Sequence, residues 1–173
     1  AAVSLLREAG APVPLTAMRD GLRLVQWQGR LEILGHAPLV IADSAHNGDS
    51  AQKLMAALQT LFEYRRLIVV LGASSDHVTP ALLEALLGGT DRVIVTKTHH
   101  PRAASPDWIQ ERAAEQGFRV ETSASVREAL DRALADADAD DLICCTGSVF
   151  VAAEARTAWF VRQGLPLPPS DPF

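Results

Sequence analysis

"VIADSAHNGDSAQKLMAAL", residues 40–58, opens as an apolar strand and closes as a helix. Val40-Ile41-Ala42 is a short continuous apolar run, whereas "SAQKLMAALQTLF" (50–62) reads as helical. Asp43, Ser44, Ala45, His46 and Asn47 lie between the two, where a sheet hands the chain to a helix. An acid, an imidazole and an amide at such a junction raise the question of what they serve.

The alternation continues along the chain. Strand "RRLIVVLG" (65–72) precedes helix "TPALLEALLGG" (79–89), and strand "DRVIVTKT" (91–98) precedes helix "PDWIQERAAEQG" (106–117). A short strand "FRVETS" (118–123), helix "SVREALDRALADA" (125–137), strand "DDLICCTGS" (140–148) and helix "VFVAAEARTAWFVRQG" (149–164) follow. The strands "LIVVLG", "VIVT" and "LICCTG" are unbroken apolar runs, as expected when both faces of a parallel sheet are covered. Strand–helix alternation with right-handed crossovers then predicts an α/β fold, a three-layer, doubly wound, mostly parallel sheet. Its start is hairpin-like, with "GRLEILG" (29–35) paired to "PLVIADSA" (38–45). Ser50, Thr79, Ser105 and Ser125 are the candidate helix caps.

Residues 1–22 read as a short helix, a Gly-Ala-Pro break and a second helical turn, the tail of an upstream domain or a linker. Residues 23–164 form the α/β domain, and residues 165–173, "LPLPPSDPF", a frayed proline-rich tail. The chain is then a piece of something larger or a truncated relative.

With 173 residues, 48% of them hydrophobic, the chain can bury one α/β core, and a second full domain would be a squeeze. A formal net charge of -5 and 5% aromatics argue against nucleic acid or an anionic membrane as partner. No apolar stretch reaches the roughly 20 residues a membrane helix requires. Cys144 and Cys145 are adjacent, so on a strand they point to opposite faces; they read as buried thiols of a reducing cytoplasm.

Ligands of open parallel sheets bind beyond the carboxyl ends of the strands. Those ends carry Asp43 to Asn47, Gly72 to His77, Thr96 to His100 and Thr146-Gly147-Ser148, a set that includes four of the 5 histidines. Neither lysine, Lys53 or Lys97, follows a glycine, and there is no phosphate-cradling glycine-rich loop, so another domain must bring most of any ATP site. Asp43, His46, His77, His99 and His100 lack metal-ligand spacing, and no metal site is assigned. Ser148 lacks the Gly-x-Ser-x-Gly elbow of a hydrolase and reads as the cap of the last helix. Arg30, in "WQGRLE", is either a surface charge pairing with Glu32 or a ligand contact.

These motifs together resemble the carboxy-terminal domain of folylpolyglutamate synthase/dihydrofolate synthase, in the Mur ligase superfamily. That family carries W-P-G-R-x-E, then D-G-A-H-N, a glycine-ended strand with an acid- and lysine-containing loop, T-x-x-x-x-P-R-A, and G-S before the last helix. The matching positions are Trp27 to Glu32, Asp43 to Asn47, Gly72 to Val78, Thr96 to Ala103, and Gly147-Ser148. The chain departs from the pattern at Gln28, Ser44, His77 and Val78.

The resemblance implies a cytoplasmic ATP-dependent amide ligase working across two domains. An amino-terminal P-loop domain would hold ATP, Mg2+ and the pteridine; a folate or dihydropteroate carboxylate is phosphorylated, and L-glutamate attacks the acyl phosphate. By resemblance Arg30 contacts the phosphates, and Asp43 and His46 face the nucleotide, making these three the candidate catalytic residues. Asn47 joins them in nucleotide binding, as a brace for the loop. Lys97, Arg102 and Ser148 are the candidates for glutamate binding, as cation, forked donor and helix N-terminus, and the domain alone is expected to be inactive. The competing readings are a free-standing non-catalytic Rossmann-like binding module, or the same domain of another Mur-type ligase.

Overall fold

The computed structural model describes residues 2–25 and 27–167, which leaves most of the proline-rich tail outside the described residues. Helices α1 (Ala2–Glu8) and α2 (Leu15–Leu24) come first, and α2 contributes no buried residue. α2 runs across the boundary drawn after residue 22.

Strands β1 (Glu32–His36) and β2 (Leu39–Ala42) form the expected antiparallel hairpin. From there strands and helices alternate: α3 (Gly48–Leu61), β3 (Leu67–Leu71), α4 (Pro80–Leu87), β4 (Arg92–Val95) and α5 (Pro106–Glu115). β5 (Glu121–Thr122), α6 (Val126–Asp136), β6 (Leu142–Thr146) and α7 (Val149–Arg162) complete the order. The sheet runs β1-β2-β6-β3-β4-β5 and is parallel from β2 to β5, the mostly parallel, doubly wound arrangement expected.

Side-chain alternation along the central strands builds the two cores. On β3, Leu67, Val69 and Leu71 pack with Leu54 and Leu58 of α3, Leu82 and Leu86 of α4, and Ile109 of α5. Ile68 and Val70 face the other way, toward Leu130 and Ala133 of α6 and Val151 and Ala155 of α7. The period of two therefore assigns each residue to a layer. Each fully buried aliphatic side chain contributes about 1.5–3 kcal/mol, against about 1 kcal/mol for a helix cap, so the caps set boundaries while the cores set stability.

Three of the four expected caps stand: Thr79, Ser105 and Ser125 each accept a backbone N–H at the start of α4, α5 and α6. Ser50 does not. Asn47 caps α3, accepting from Ser50 N at 2.9 Å, while the Ser50 hydroxyl lies 3.1 Å from Asn47 N as the reciprocal half of a capping box. Gly48 and Asp49 extend the helix backward, so Ser50 falls at the third helical position, where its hydroxyl accepts from the cap's own N–H.

The amino-terminal edge of the sheet is held by ion pairs. Asp141, buried, accepts from Arg66 Nη2 at 2.7 Å and from Asp138 N at 2.8 Å. Glu121 takes Arg92 through two hydrogen bonds, at 2.7 and 2.9 Å, and also pairs with Arg132. The Arg66 hydrogen bond holds the Asp141 carboxyl below its ordinary range, and Arg92 does the same for Glu121. A depressed native pKa stabilises the fold above the unfolded value, and that contribution is lost as pH falls through the folded one. Urea midpoints are therefore expected to drop as pH falls below about 4, with Asp141→Asn less stable at neutral pH and flatter in its acid dependence. Equal slopes for the two proteins would remove Asp141 from the linkage.

Cys144 belongs to one core and Cys145 to the other, on opposite faces as adjacency required. Burial raises both thiols, Cys145 to about 12. Neither is expected to react with a disulfide reagent at pH 8 until the chain is unfolded by denaturant, a thiol-release assay being the check.

Candidate functional site

The order β2-β6-β3 makes the topological switch. β2 and β3 feed α3 and α4 on one face, while β6, between them, feeds α7 on the other. The loops leaving β2 and β6 are tied together: Asp43 N donates to Cys145 O and Gly147 N to Ala45 O, both at 3.0 Å. Gly147 is held at φ 103, and a Cβ there would meet Gly72 O at 2.6 Å, so this crossing of loops admits only glycine. Ser148 then caps α7, its hydroxyl accepting from Val151 N at 3.1 Å, as the sequence reading of this turn expected.

Beside the switch lies a cleft of about 320 Å³, lined among others by Arg30, Asp43, His46, Lys53 and Leu54. Three candidates scattered over 17 positions of sequence, Arg30, Asp43 and His46, thus share one cavity wall. Lys53 and Leu54 were not singled out from sequence. Their signal was the helical spacing of Ser50, Lys53, Leu54 and Ala57, which places one face of α3 along the cleft.

Asp43, 7% exposed, has a donor on each carboxylate oxygen, Leu31 N on Oδ2 and Ala45 N on Oδ1, both at 2.8 Å. It ties the end of β2 to the segment that carries Arg30. That segment is a four-residue turn, closed by Arg30 N to Trp27 O at 3.2 Å, with Gly29 at φ 68 as a type II turn requires. Gln28 occupies the position where proline favours such a turn. Arg30 does not pair with Glu32; its guanidinium is exposed and lies over the Trp27 ring, 5.3 Å from the centroid. Glu32 is taken by Arg156 of α7.

His46 is exposed, with Nδ1 3.0 Å from Ser44 O. A carbonyl oxygen only accepts, so Nδ1 carries the proton and Nε2 of the neutral ring accepts. The His46 ring lies 5.4 Å from that of His77, which comes from the loop after β3. Asn47 braces the loop as the α3 cap.

Lys97, Arg102 and Ser148 are not brought into one recess. Lys97 lines a separate hollow with His99, His100 and Ser125. Arg102 lies 3.9 Å from Asp76, and Ser148 is buried as a cap. His99 and His100 have partners on α7: His99 N donates to Glu154 at 2.8 Å, and His100 stacks on Phe150 at 3.9 Å. Among the described residues no group of three or more His, Cys, Asp or Glu converges as metal ligands.

Residues 29–149 match the family described as "Mur ligase, glutamate ligase domain", and the chain belongs to that family, as its carboxy-terminal type of domain. A probable bifunctional folylpolyglutamate synthase/dihydropteroate synthase of Haloferax volcanii is 38% identical over 161 residues, 91% of this chain and 19% of the relative. Among solved structures, E. coli FolC in complex with DHPP and ADP superposes with a TM-score of 0.83 at 29% identity, over 94% of this chain and 38% of that one. The bifunctional folylpolyglutamate synthase/dihydrofolate synthase described with Mn, AMPPNP and L-glutamate bound is 27% identical, with a TM-score of 0.77, over 95% and 38%. The chain spans less than two fifths of each of these relatives.

The Asp43 geometry is open to a direct check. In Asp43→Asn one amide oxygen still accepts, while the NH2 group opposes the other backbone donor. A loss of about 1–3 kcal/mol in urea unfolding is expected, the cost of an unsatisfied buried group; an unchanged midpoint would contradict the double acceptance.

Proposed function

We propose that this domain supplies the carboxy-terminal wall of an ATP-dependent ligase that adds L-glutamate to folate or dihydropteroate through an acyl phosphate. The observation that carries this reading is the convergence of Arg30, Asp43 and His46 on one cleft at the switch point of a Mur ligase domain. An amino-terminal P-loop domain of the same protein faces that cleft, in the cytoplasm, and brings most of the ATP contacts.

Each residue has a task that its surroundings allow. Arg30, with Glu32 engaged elsewhere, presents several N–H donors to phosphate oxygens and offsets charge as the phosphoryl group moves. Its aromatic support by Trp27 narrows the directions it samples. Asp43 acts by position, holding the Arg30 turn against β2, because its oxygens already serve two amides. His46 offers Nε2 as an acceptor at the cleft wall, and Asn47 keeps its loop in place. Lys97 and Arg102 attract the glutamate carboxylates from separate places along the same edge of the sheet.

Mg2+ would supply charge neutralisation at the phosphates in such a transfer. The described side chains do not fit a metal cage, so no step is assigned to an ion held by this chain, and Mg2+ would be held by the amino-terminal domain. This division of labour also makes the domain alone inactive.

In the full-length ligase, Arg30→Ala is expected to lower kcat by more than about tenfold, the loss of a transition-state contact. Its melting temperature should stay close to wild type, because the side chain is exposed. Steady-state ADP release with saturating glutamate measures this, and unchanged turnover returns Arg30 to a surface charge.

A further inference from the structure

Arg156 lies on α7, 124 residues from Glu32 and outside the cleft, yet the two side chains meet at 2.6 Å. They are 15% and 21% exposed. Glu32 uses its second oxygen to accept from Gly29 N at 2.7 Å, the residue immediately before Arg30. Arg156 is itself seated over Phe160, 5.3 Å from the ring centroid. Gly29 is buried against α7, where a Cβ would meet the Ala152 methyl at 3.4 Å.

The turn that carries Arg30 is thus gripped on both sides. Asp43 holds Leu31 N from the sheet, and the Arg156–Glu32 pair holds Gly29 N from α7. Between those anchors stands one exposed guanidinium. Leu31 is at φ 44, an uncommon conformation for a residue with a side chain, and such backbone persists only where its surroundings fix it. Releasing one anchor frees the turn while the two cores, which do not include Arg156 or Glu32, stay packed.

We infer that Arg156, acting through Glu32 and the Gly29 amide, is a positioning residue that sets where the Arg30 guanidinium stands. The inference rests on the reading of Arg30 as a phosphate contact. Arg156 reaches no ligand; it fixes the place from which Arg30 does. The half-buried pair serves this better than a fully exposed one, since it is less screened and its geometry is defined by packing.

A double-mutant cycle in the full-length ligase separates this from a merely structural role. Arg156→Gln is expected to lower kcat about tenfold in the wild-type background, as a displaced catalytic group does. In the Arg30→Ala background the same change should cost less than about twofold. The drop in melting temperature should be the same in both, and KM for glutamate should not move. Glu32→Gln, whose amide oxygen still accepts from Gly29 N but which breaks the ion pair, should show the same non-additivity and serves if Arg156→Gln does not fold. Equal kcat losses in both backgrounds overturn the inference, as does an unchanged kcat for both variants beside a slow Arg30→Ala enzyme. Wild-type turnover by Arg30→Ala itself instead overturns the reading of Arg30 on which the inference stands.

Discussion

β6 is threaded between β2 and β3, and all five of its residues are buried. A strand in that place must satisfy backbone hydrogen bonds on both edges and apolar contacts on both faces at once. Leu142 to Thr146 does so with small and medium side chains, two of them thiols that burial keeps protonated. The insertion also sends α3 and α7 to opposite faces, and the loops leaving β2 and β6 cross at the sheet's carboxyl edge. The cleft lies beside that crossing, between the turn that carries Arg30 and helix α3.

The two edges of the sheet handle charge differently. At the amino-terminal edge, Arg65, Arg66, Arg92 and Arg132 are matched by Glu121, Asp138, Asp140 and Asp141. That edge is closed by mutual neutralisation. At the carboxyl edge the two acids that hold the Arg30 turn are already engaged, Asp43 by two amides and Glu32 by Arg156. Arg30 is left with an aromatic ring and, among the described residues, no ion pair. A guanidinium so placed, with its neighbouring carboxylates occupied, is suited to a negatively charged ligand coming from outside the domain.

The cleft is small for a complete nucleotide site, its volume of about 320 Å³ at the low end of the roughly 300–1,000 Å³ of small-ligand pockets. Its wall carries Arg30, Lys53 and His46 beside Asp43 and Asp49, but no glycine-rich phosphate cradle. These properties agree with a site shared between domains, and the relatives, more than twice this length, have room for the other part.

The sequence by itself determined the architecture: unbroken apolar strands alternating with helices need both faces of a parallel sheet covered, and with too few strands to close a barrel the chain does that as a doubly wound fold. It also placed Asp43, His46, Thr96 and Ser148 at strand ends, because that follows from local periodicity alone. The cap of α3 was misassigned to Ser50 because serine and asparagine both cap, and only backbone geometry shows which of them lies outside the helix. The hydrogen-bond partners of Asp43, the partner of Glu32 and the scattering of Lys97, Arg102 and Ser148 were decided by tertiary structure. Those facts depend on contacts between residues as far apart as Glu32 and Arg156, and separation in sequence carries no record of which distant side chain arrives to fill a hydrogen bond.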